Sequence, residues 1–295
     1  MKHKIWDNAN MDDNWLLTAA AIGHIAHETL QAETHANVFG NTSKGLFAVT
    51  DEKRFLFISH QKFKGPLTIN TNEKLPASQT LSRETHLLLF PNKIKFVQSA
   101  REIRINPQTH TWVPLTLNKM DFNLDAFITR SNLIRREMIT QLSNRDHIQG
   151  NHTNMESSLK SALASRNKVA IHESLSNLLG CGEGLTPSGD DFICGFLLAA
   201  HAWKEILFPG LTLQKTIRSI TVAAQEKTTT LSTNLIACAA SGSADERIIR
   251  SVKWLNSGGS SAALIMKELL SYGSSSGLDT LAGMLTFIQS SPVVK

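Results

Sequence analysis

Cysteine is scarce in this sequence, and its three copies are not spaced for any familiar use. Cys181, Cys194 and Cys238 are odd in number, and no two of them have the C-x-x-C spacing of a redox or zinc site. This excludes a disulfide framework and a zinc ribbon. Buried, reduced thiols are typical of cytosolic proteins, which favours a cytoplasmic protein.

Long apolar runs are also lacking. A membrane-spanning helix needs about 18 or more apolar residues, and the nearest candidate, residues 192–208, is interrupted by His201, Lys204 and Glu205. Residues 15–26 have the length of a signal-peptide core, but Asp12 and Asp13 precede them where a signal peptide carries positive charge. The sequence therefore predicts a soluble, cytoplasmic protein without a membrane partner.

The basic charge is not gathered into a patch. The formal net charge is +5, of which +3 falls in residues 1–118 and +2 in residues 119–295. A nucleic-acid-binding surface shows clustered Lys and Arg together with a recognition motif, and the sequence has neither. We therefore predict no nucleic-acid partner.

The pattern of apolar residues divides the 295 residues into two predicted domains. Residues 13–32 have helical spacing, with Asp13 or Asn14 as the cap, and short runs separated by turns follow to residue 117. Helical spacing dominates from there on. This predicts an α+β fold, with an opening helix and a β-rich antiparallel sandwich or barrel in residues 1–118 and an all-helical domain in residues 119–295. The predicted strands are 45–50, 54–59, 67–70, 86–90, 93–98, 102–105 and 111–115, and the predicted helices are 122–142, 155–164, 174–179, 190–207, 213–228, 231–240, 244–255, 262–270 and 278–289.

A glycine-rich loop directly precedes one predicted helix. Residues 180–191 have the sequence GCGEGLTPSGDD, with four glycines and one proline. Glycines at this density indicate positive φ angles or close approach of another group to the backbone. Walker A chemistry is excluded because Asp190 and Asp191 stand where Lys and Ser/Thr are needed, and a dinucleotide fingerprint is excluded because position 187 is proline.

The same pattern returns 88 residues later. Ser188-Gly189-x-Asp191-x-x-x-Gly195 corresponds to Ser276-Gly277-x-Asp279-x-x-x-Gly283. One interpretation is structural: each serine and aspartate form a capping box, and each later glycine lets two helices pack closely. The other interpretation is functional, and it predicts that the two loops lie side by side at one cleft.

The residue types in these loops favour a small polar ligand. Helix N-termini bind anions through free amides, but aspartates repel bare phosphate. They suit a substrate that donates hydrogen bonds, such as an amide or a carbamoyl NH₂, or a bridging Mg²⁺, which is the one candidate cofactor. The predicted catalytic residues are Asp190, Asp191 and Asp279.

A third polar cluster, residues 227–232, contains four hydroxyl groups and one ammonium group. It completes the predicted site or, alternatively, forms a helix junction rich in capping residues. With it, the predicted substrate-binding residues are Gly182, Gly184, Thr186, Ser188, Gly189, Thr229, Thr230, Ser232, Ser275, Ser276 and Gly277.

These motifs resemble a known family. The loop at 182–191, the Thr-Thr-x-x-Ser run ending at Ser232, the Ser-Ser-Gly-x-Asp of 275–279 and the Gly65-Pro66 turn are similar to the AllH-type subunit of oxamate carbamoyltransferase. The resemblance implies a role in allantoin and purine breakdown, in which oxalurate and phosphate are interconverted with oxamate and carbamoyl phosphate. It also implies a hetero-oligomer of three kinds of subunit, so that this chain alone is inactive. The usual transcarbamylase signatures, Ser-x-Arg-Thr and His-Pro-x-Gln, are absent from the sequence.

Two functional hypotheses therefore stand. The first is a transferase subunit that acts on a small carboxylate or carbamoyl compound, and the second is a non-catalytic anion-binding scaffold or regulatory subunit. A metal-dependent hydrolase is a third, weaker alternative. Because the loop is open, we expect partner subunits to close the site, with the β-rich domain as their contact through a free sheet face or edge.

Overall fold

The computed structural model describes residues 15–75, 81–97, 99–114, 117, 122–143 and 152–294. The chain divides into two compact units, Met1–Val113 and Pro114–Lys295. Within the described residues, all strands lie in the first unit and all helices but one lie in the second. A β-rich region followed by a helical region confirms the α+β prediction at that level.

The first unit is a closed barrel of eight strands. The hydrogen-bonded order is β5-β4-β3-β2-β6-β7-β8-β1, and a pairing between β1 and β5 closes the circle. A ninth strand, β9, pairs with β1 beyond the end of β8. The strands are β1 (Leu16–Gly23), β2 (His35–Thr42), β3 (Gly45–Thr50), β4 (Phe55–Ser59), β5 (Thr68–Thr71), β6 (His86–Phe90), β7 (Lys93–Phe96), β8 (Glu102–Arg104) and β9 (His110–Trp112).

The observed strand pairing corrects two expectations about this unit. The sheet is not purely antiparallel, because β1 runs parallel to β8 and β9, and β4 runs parallel to β5. A closed barrel also leaves no free edge along its eight strands. Among the strands described, only the three-residue β9 pairs on one side alone. The expected edge for partner binding is therefore almost entirely removed.

The predicted opening helix over residues 13–32 is wrong in its first half. Leu16–Gly23 is a strand, and α1 occupies His24–Gln31. The expected caps at positions 13 and 14 lie outside the described residues. The strand is fixed by tertiary pairing rather than by local preference, since β1 pairs with β5 on one side and with β8 and β9 on the other.

The barrel core is formed by alternating side chains. In β7, Ile94 and Phe96 are fully buried while Lys95 is exposed, which confirms the predicted strand with one face in solvent. The interior also holds Leu30 of α1. The junction of β1 and α1, at Gly23, lies against the turn at Gly65. A Cβ atom at Gly23 would stand 2.0 Å from the carbonyl oxygen of Gly65.

The second unit consists of helices in its described residues, and each predicted helix overlaps an observed one. Helix α5 is buried along most of its length, and Phe196 in it packs edge-to-face on Phe287 of α10 at 5.2 Å. Every helix in the described part of the chain is too short or too polar to span a bilayer. The helices are α2 (Leu124–Ser143), α3 (His152–Ala164), α4 (Lys168–Ser176), α5 (Ser188–Leu207), α6 (Gln214–Lys227), α7 (Thr230–Ala240), α8 (Glu246–Ser257), α9 (Ala262–Leu270) and α10 (Ser276–Gln289).

Candidate functional site

The first glycine-rich loop folds back onto the start of α5. Gly182 has a φ of +116°, and a Cβ atom there would stand 2.8 Å from the amide nitrogen of Ser188, so the position requires glycine. The amide of Gly189 donates to the carbonyl of Cys181 at 2.8 Å. Gly184 is exposed. The loop thus covers the first turn of the helix with its own backbone.

The second loop also folds back onto the start of its helix, α10. The amide of Gly277 donates to the carbonyl of Tyr272 at 3.1 Å. Gly273 lies against the side chain of Ser276, as Gly182 lies against Ser188 in the first loop. In both loops the equivalent glycine amide donates to a preceding carbonyl, although the acceptors, Cys181 and Tyr272, are not equivalent positions of the repeat.

The two helices cross at the later glycine of each repeat. A Cβ atom at Gly195 would stand 1.8 Å from the carbonyl oxygen of Thr280, and one at Gly283 would stand 1.9 Å from the carbonyl oxygen of Phe192. Thr280 and Phe192 are themselves equivalent positions, 88 residues apart. The crossing is therefore reciprocal, and only glycine allows the backbones to approach this closely.

This crossing brings the two loops together. The hydroxyl oxygens of Thr186 and Ser276 lie 3.2 Å apart, which joins the first loop to the first residue of α10. Helices α5 and α10 thus begin side by side, as the repeated pattern predicts.

Asp190 is a buried carboxylate that ties neighbouring segments together. It is 1% exposed, and its Oδ1 accepts from the amide of Gly180 at 2.9 Å. Its Oδ2 accepts from the hydroxyl of Thr228, between α6 and α7. Burial raises the pKa of Asp190, whereas the Gly180 amide and the Thr228 and Ser232 hydroxyls lower it. Both oxygens are engaged, so the geometry favours a structural role for this aspartate.

Asp191 is different, although it is the next residue. It is 3% exposed, and its Oδ2 has no hydrogen-bond partner among the described residues. Its pKa is raised to about 7, above all by burial; the charge of Asp279 adds to the rise, and the hydroxyls of Ser276 and Thr186 oppose it. A buried oxygen without a donor is costly, and it marks a position where a ligand could supply one.

Asp279 occupies the equivalent position in α10. It lies in the first turn, is half-buried, and is close enough for its charge to raise the pKa of Asp191. The three predicted acids thus lie at the start of the two helices, with Asp191 against the hydroxyls of Thr186 and Ser276 and Asp279 close enough for its charge to act on Asp191.

The capping-box interpretation is wrong. Ser188 and Ser276 are the first residues of their helices rather than caps, and within the described structure neither helix has a side-chain cap. The expectation of free amides for anion binding also needs correction, because the amides of Gly189 and Gly277 already donate to loop carbonyls. The carbonyl of Ser275, directly before α10, accepts from the backbone amide of Asp279.

The side chains of the hydroxyl cluster at residues 227–232 have different roles. Thr229 caps α7 by accepting from the amide of Ser232, and its own hydroxyl donates to the carbonyl of Leu185 in the first loop at 2.6 Å. Ser232 is buried beside Asp190. Thr230 is the first residue of α7 and is half-buried. The cluster is therefore a capped helix junction that also supports the loop.

Sequence reasoning missed three residues around the site. The hydroxyl of Thr228 donates to Asp190. The one feature of the sequence that pointed to Thr228 was its place in the hydroxyl cluster at residues 227–232. Tyr272 directly precedes the second loop and supplies the carbonyl that accepts from Gly277. The guanidinium of Arg247 lies 5.0 Å from the centre of the Tyr272 ring and donates to the carbonyl of Ser271 at 2.8 Å. Nothing in the sequence linked position 247 to a loop 26 residues away.

The remaining side chains to consider are possible metal ligands and the three thiols. Among the described residues, no group of three or more His, Cys, Asp or Glu side chains is placed to hold a metal ion. Cys194 and Cys238 are buried, as predicted, and Cys181 is half-buried. Burial, above all, raises the pKa of Cys194, so it is held as a neutral thiol.

A protein-family model matches the part of the chain that contains this site. Residues 178–288, from just before the first loop to the end of α10, match the family model described as oxamate carbamoyltransferase subunit AllH. The match covers 111 of the 295 residues and confirms, for this region, the resemblance found in the sequence. Both loops, the α6–α7 junction and all three aspartates lie within it. The family model describes a subunit, which implies that other subunits join it in a complex. Comparisons with curated proteins and with solved structures found no match.

Proposed function

We propose that this chain contributes the site at Asp191 to an oxamate carbamoyltransferase complex that converts oxalurate and phosphate to oxamate and carbamoyl phosphate, in the breakdown of allantoin and other purine products. The observation that carries the proposal is the buried Oδ2 of Asp191, which has no donor among the described residues. It lies where two loops of the family region meet.

The ligand that suits this oxygen is an N–H donor. Oxalurate, oxamate and carbamoyl phosphate all carry NH₂ groups, and a carboxylate accepts from NH₂ with a charge-assisted hydrogen bond. An anion without a proton to donate suits the position poorly, since the ionised forms of Asp279 and Asp191 would both repel it, whereas hydrogen phosphate carries an O–H group that can donate to Asp191. The engaged amides of Gly189 and Gly277 also weaken the alternative of an anion-binding scaffold.

The same carboxyl group can serve proton transfer. In the forward reaction a phosphate oxygen bonds to the carbamoyl carbon, the bond from that carbon to the oxamate nitrogen breaks, and the nitrogen takes up a proton. A carboxyl group with a pKa of about 7 holds and releases a proton near neutral pH. We propose that Asp191 donates this proton to the leaving nitrogen and is reprotonated from the attacking hydrogen phosphate.

Residues around Asp191 then hold it and its ligand in place. The hydroxyls of Thr186 and Ser276 flank the carboxyl group and can turn toward a substrate oxygen. Residues 182–185 are exposed, so the loop does not exclude water by itself. We propose that partner subunits close the site.

The test is reconstitution. The chain is expressed with and without its neighbouring subunits, and carbamoyl phosphate formed from oxalurate and phosphate is measured. We expect turnover from the assembled complex and none from the isolated chain. Full turnover by the chain alone would refute the dependence on partners. An assembled complex with the same activity whether or not this chain is present would refute its contribution to catalysis.

A further inference from the structure

Helix α6 forms a ridge between two surface grooves of the helical unit. One groove, of about 540 Å³, lies between α6, the second half of α5 and the end of α7. The other, of about 670 Å³, lies between α6 and α4. Gln214, the first residue of α6, lines both grooves. Neither groove includes a residue of the two glycine-rich loops.

Each groove contains an unusually exposed aliphatic side chain. Val169 lines the α4 groove and is 67% exposed, and Val222 lines the α5 groove and is 58% exposed. These are the two highest exposures among the large hydrophobic residues described. The floor of the α5 groove is also largely apolar, formed by Ala200, Ala202, Ile206, Leu213, Ile217 and Ala240. The α4 groove is polar apart from Val169, so the apolar area that an interaction partner would cover lies mainly in the α5 groove.

Most of the charged side chains that line the two grooves are positive. Their lining residues include four basic side chains and one acidic side chain, and the acidic one, Glu205, pairs with Lys204. Lys215 and Arg218 are exposed on the ridge itself. His172 and His201 lie on either side of it. An occupant that complements this surface carries acidic groups beside an apolar face.

We infer that the α6 ridge and its two grooves are the docking surface for an acidic, amphipathic segment of another subunit of the complex, an inference that rests on the proposed function. An amphipathic segment places aliphatic side chains in the apolar α5 groove and against Val169, and carboxylates over Lys215 and Arg218. Nucleic acid matches the charge but not the apolar floor. The closed barrel of the first unit offers less, because it has almost no free edge.

The experiment uses the full chain co-purified with its partner subunits, with affinity measured by titration. Val222→Asp places a negative charge and a polar group in the α5 groove, and Arg218→Glu reverses a charge on the ridge. We expect each to weaken assembly by about tenfold or more, the loss typical of a central interface residue. The matched control is Leu264→Asp on α9, which changes an aliphatic residue that is 50% exposed and lines neither groove. Thermal melting of each variant checks that it is folded.

The outcomes separate this inference from the proposed reaction. Wild-type affinity in both folded groove variants, or an equal loss in the Leu264 control, overturns the docking surface even if carbamoyl phosphate is formed. A groove-dependent complex that forms no carbamoyl phosphate supports the docking surface and contradicts the reaction. Failure of the wild-type chain to assemble, self-association that requires Val222, or displacement of the chain by added RNA would each overturn the inference.

Discussion

Gly195 of α5 lies against the carbonyl of Thr280 in α10 so closely that a Cβ atom would stand 1.8 Å from that oxygen. Gly283 has the same relation to Phe192. This reciprocal contact explains why the sequence repeats a glycine four positions after each aspartate. The crossing point fixes where both helices begin, and therefore how close Asp191 comes to its counterpart in α10.

The first prediction is that Gly195→Ala destabilises the helical unit. Alanine gains about 1 kcal/mol of helix propensity over glycine, but its methyl group would force the two helix backbones apart, and such overpacking costs roughly 1–3 kcal/mol or more. We expect a lower urea midpoint for the helical unit. The control is Gly40→Ala, where a Cβ atom has no heavy atom within 4 Å. A wild-type midpoint for Gly195→Ala would contradict the close crossing.

The second prediction concerns pH. The pKa of Asp191 is about 7 in the folded protein against 3.8 for an unperturbed aspartate. Between these values the folded state binds more protons than the unfolded state, so the free energy of unfolding should fall as pH rises from about 4 to about 7. The expected loss is on the order of a few kcal/mol. Urea unfolding measured across this range tests it.

The same pH series with Asp191→Asn provides the control. The variant should lose most of this slope and keep a residual part, because the pKa of Asp190 is also raised by burial. Asp51→Asn, at an exposed position in the barrel unit, makes the same change in net charge. If stability depends on pH as steeply in Asp191→Asn as in the wild type, folding does not raise the pKa of Asp191.

Local patterns in the sequence were sufficient for much of the helical unit. Helix α9 has the predicted ends, because Ser261 caps it through the amide of Leu264. The meeting of the two loops was also predictable, because a repeated pattern signals equivalent packing. The failures came from long-range contacts. Strand β1 contains the alanine-rich run at residues 19–21, and only its pairing with distant strands makes it extended.

The roles of the two adjacent aspartates could not be separated from sequence. Asp190 and Asp191 are consecutive on a helix, so they point in directions about 100° apart, and their partners come from other segments of the chain. Thr228 engages Asp190, whereas Asp191 faces Ser276 and Asp279. The capping prediction failed because Ser188 is inside its helix by one residue, a boundary that sequence patterns do not fix.

The third prediction tests the structural role of Asp190. Thr228→Ala removes the donor to Asp190 Oδ2 and leaves a buried carboxylate oxygen unpaired, which should cost about 1–3 kcal/mol of stability. Thr228→Ser keeps the hydroxyl and should retain most of the wild-type stability. Urea unfolding of both variants is the measurement. Equal destabilisation by alanine and serine would indicate that the methyl group, rather than the hydrogen bond, matters.

The fourth prediction concerns the hydroxyl groups beside Asp191. The Ser276 hydroxyl lowers the pKa of Asp191, so Ser276→Ala should raise it. In the assembled complex, the limb of the pH–activity profile that reports loss of the proton from Asp191 should therefore move to higher pH. Ser274→Ala, in the same loop but not among the side chains that shift the pKa of Asp191, is the comparison. A shift to lower pH in Ser276→Ala would contradict the assignment of Asp191 as the titrating group.

The last prediction separates chemistry from folding at Asp191. Asp191→Asn keeps the size of the side chain and removes a carboxyl group whose ionisation is unfavourable in the folded protein, so stability at pH 8 should stay the same or rise. Activity of the assembled complex should nevertheless fall by about 10²- to 10⁴-fold, the range for loss of a general acid. Carbamoyl phosphate formation and thermal melting are measured on the same samples.

Asp190→Asn is the matched comparison, because it makes the same change one residue earlier. Its carboxylate accepts from Gly180 and Thr228, and an amide replaces one acceptor oxygen with a donor, so the variant should lose stability. Any folded fraction that assembles should retain more activity than Asp191→Asn. The opposite order, with an active Asp191→Asn complex and an inactive but stable Asp190→Asn complex, would transfer the catalytic role to Asp190. It would also remove the argument that an unpaired buried oxygen marks the substrate position.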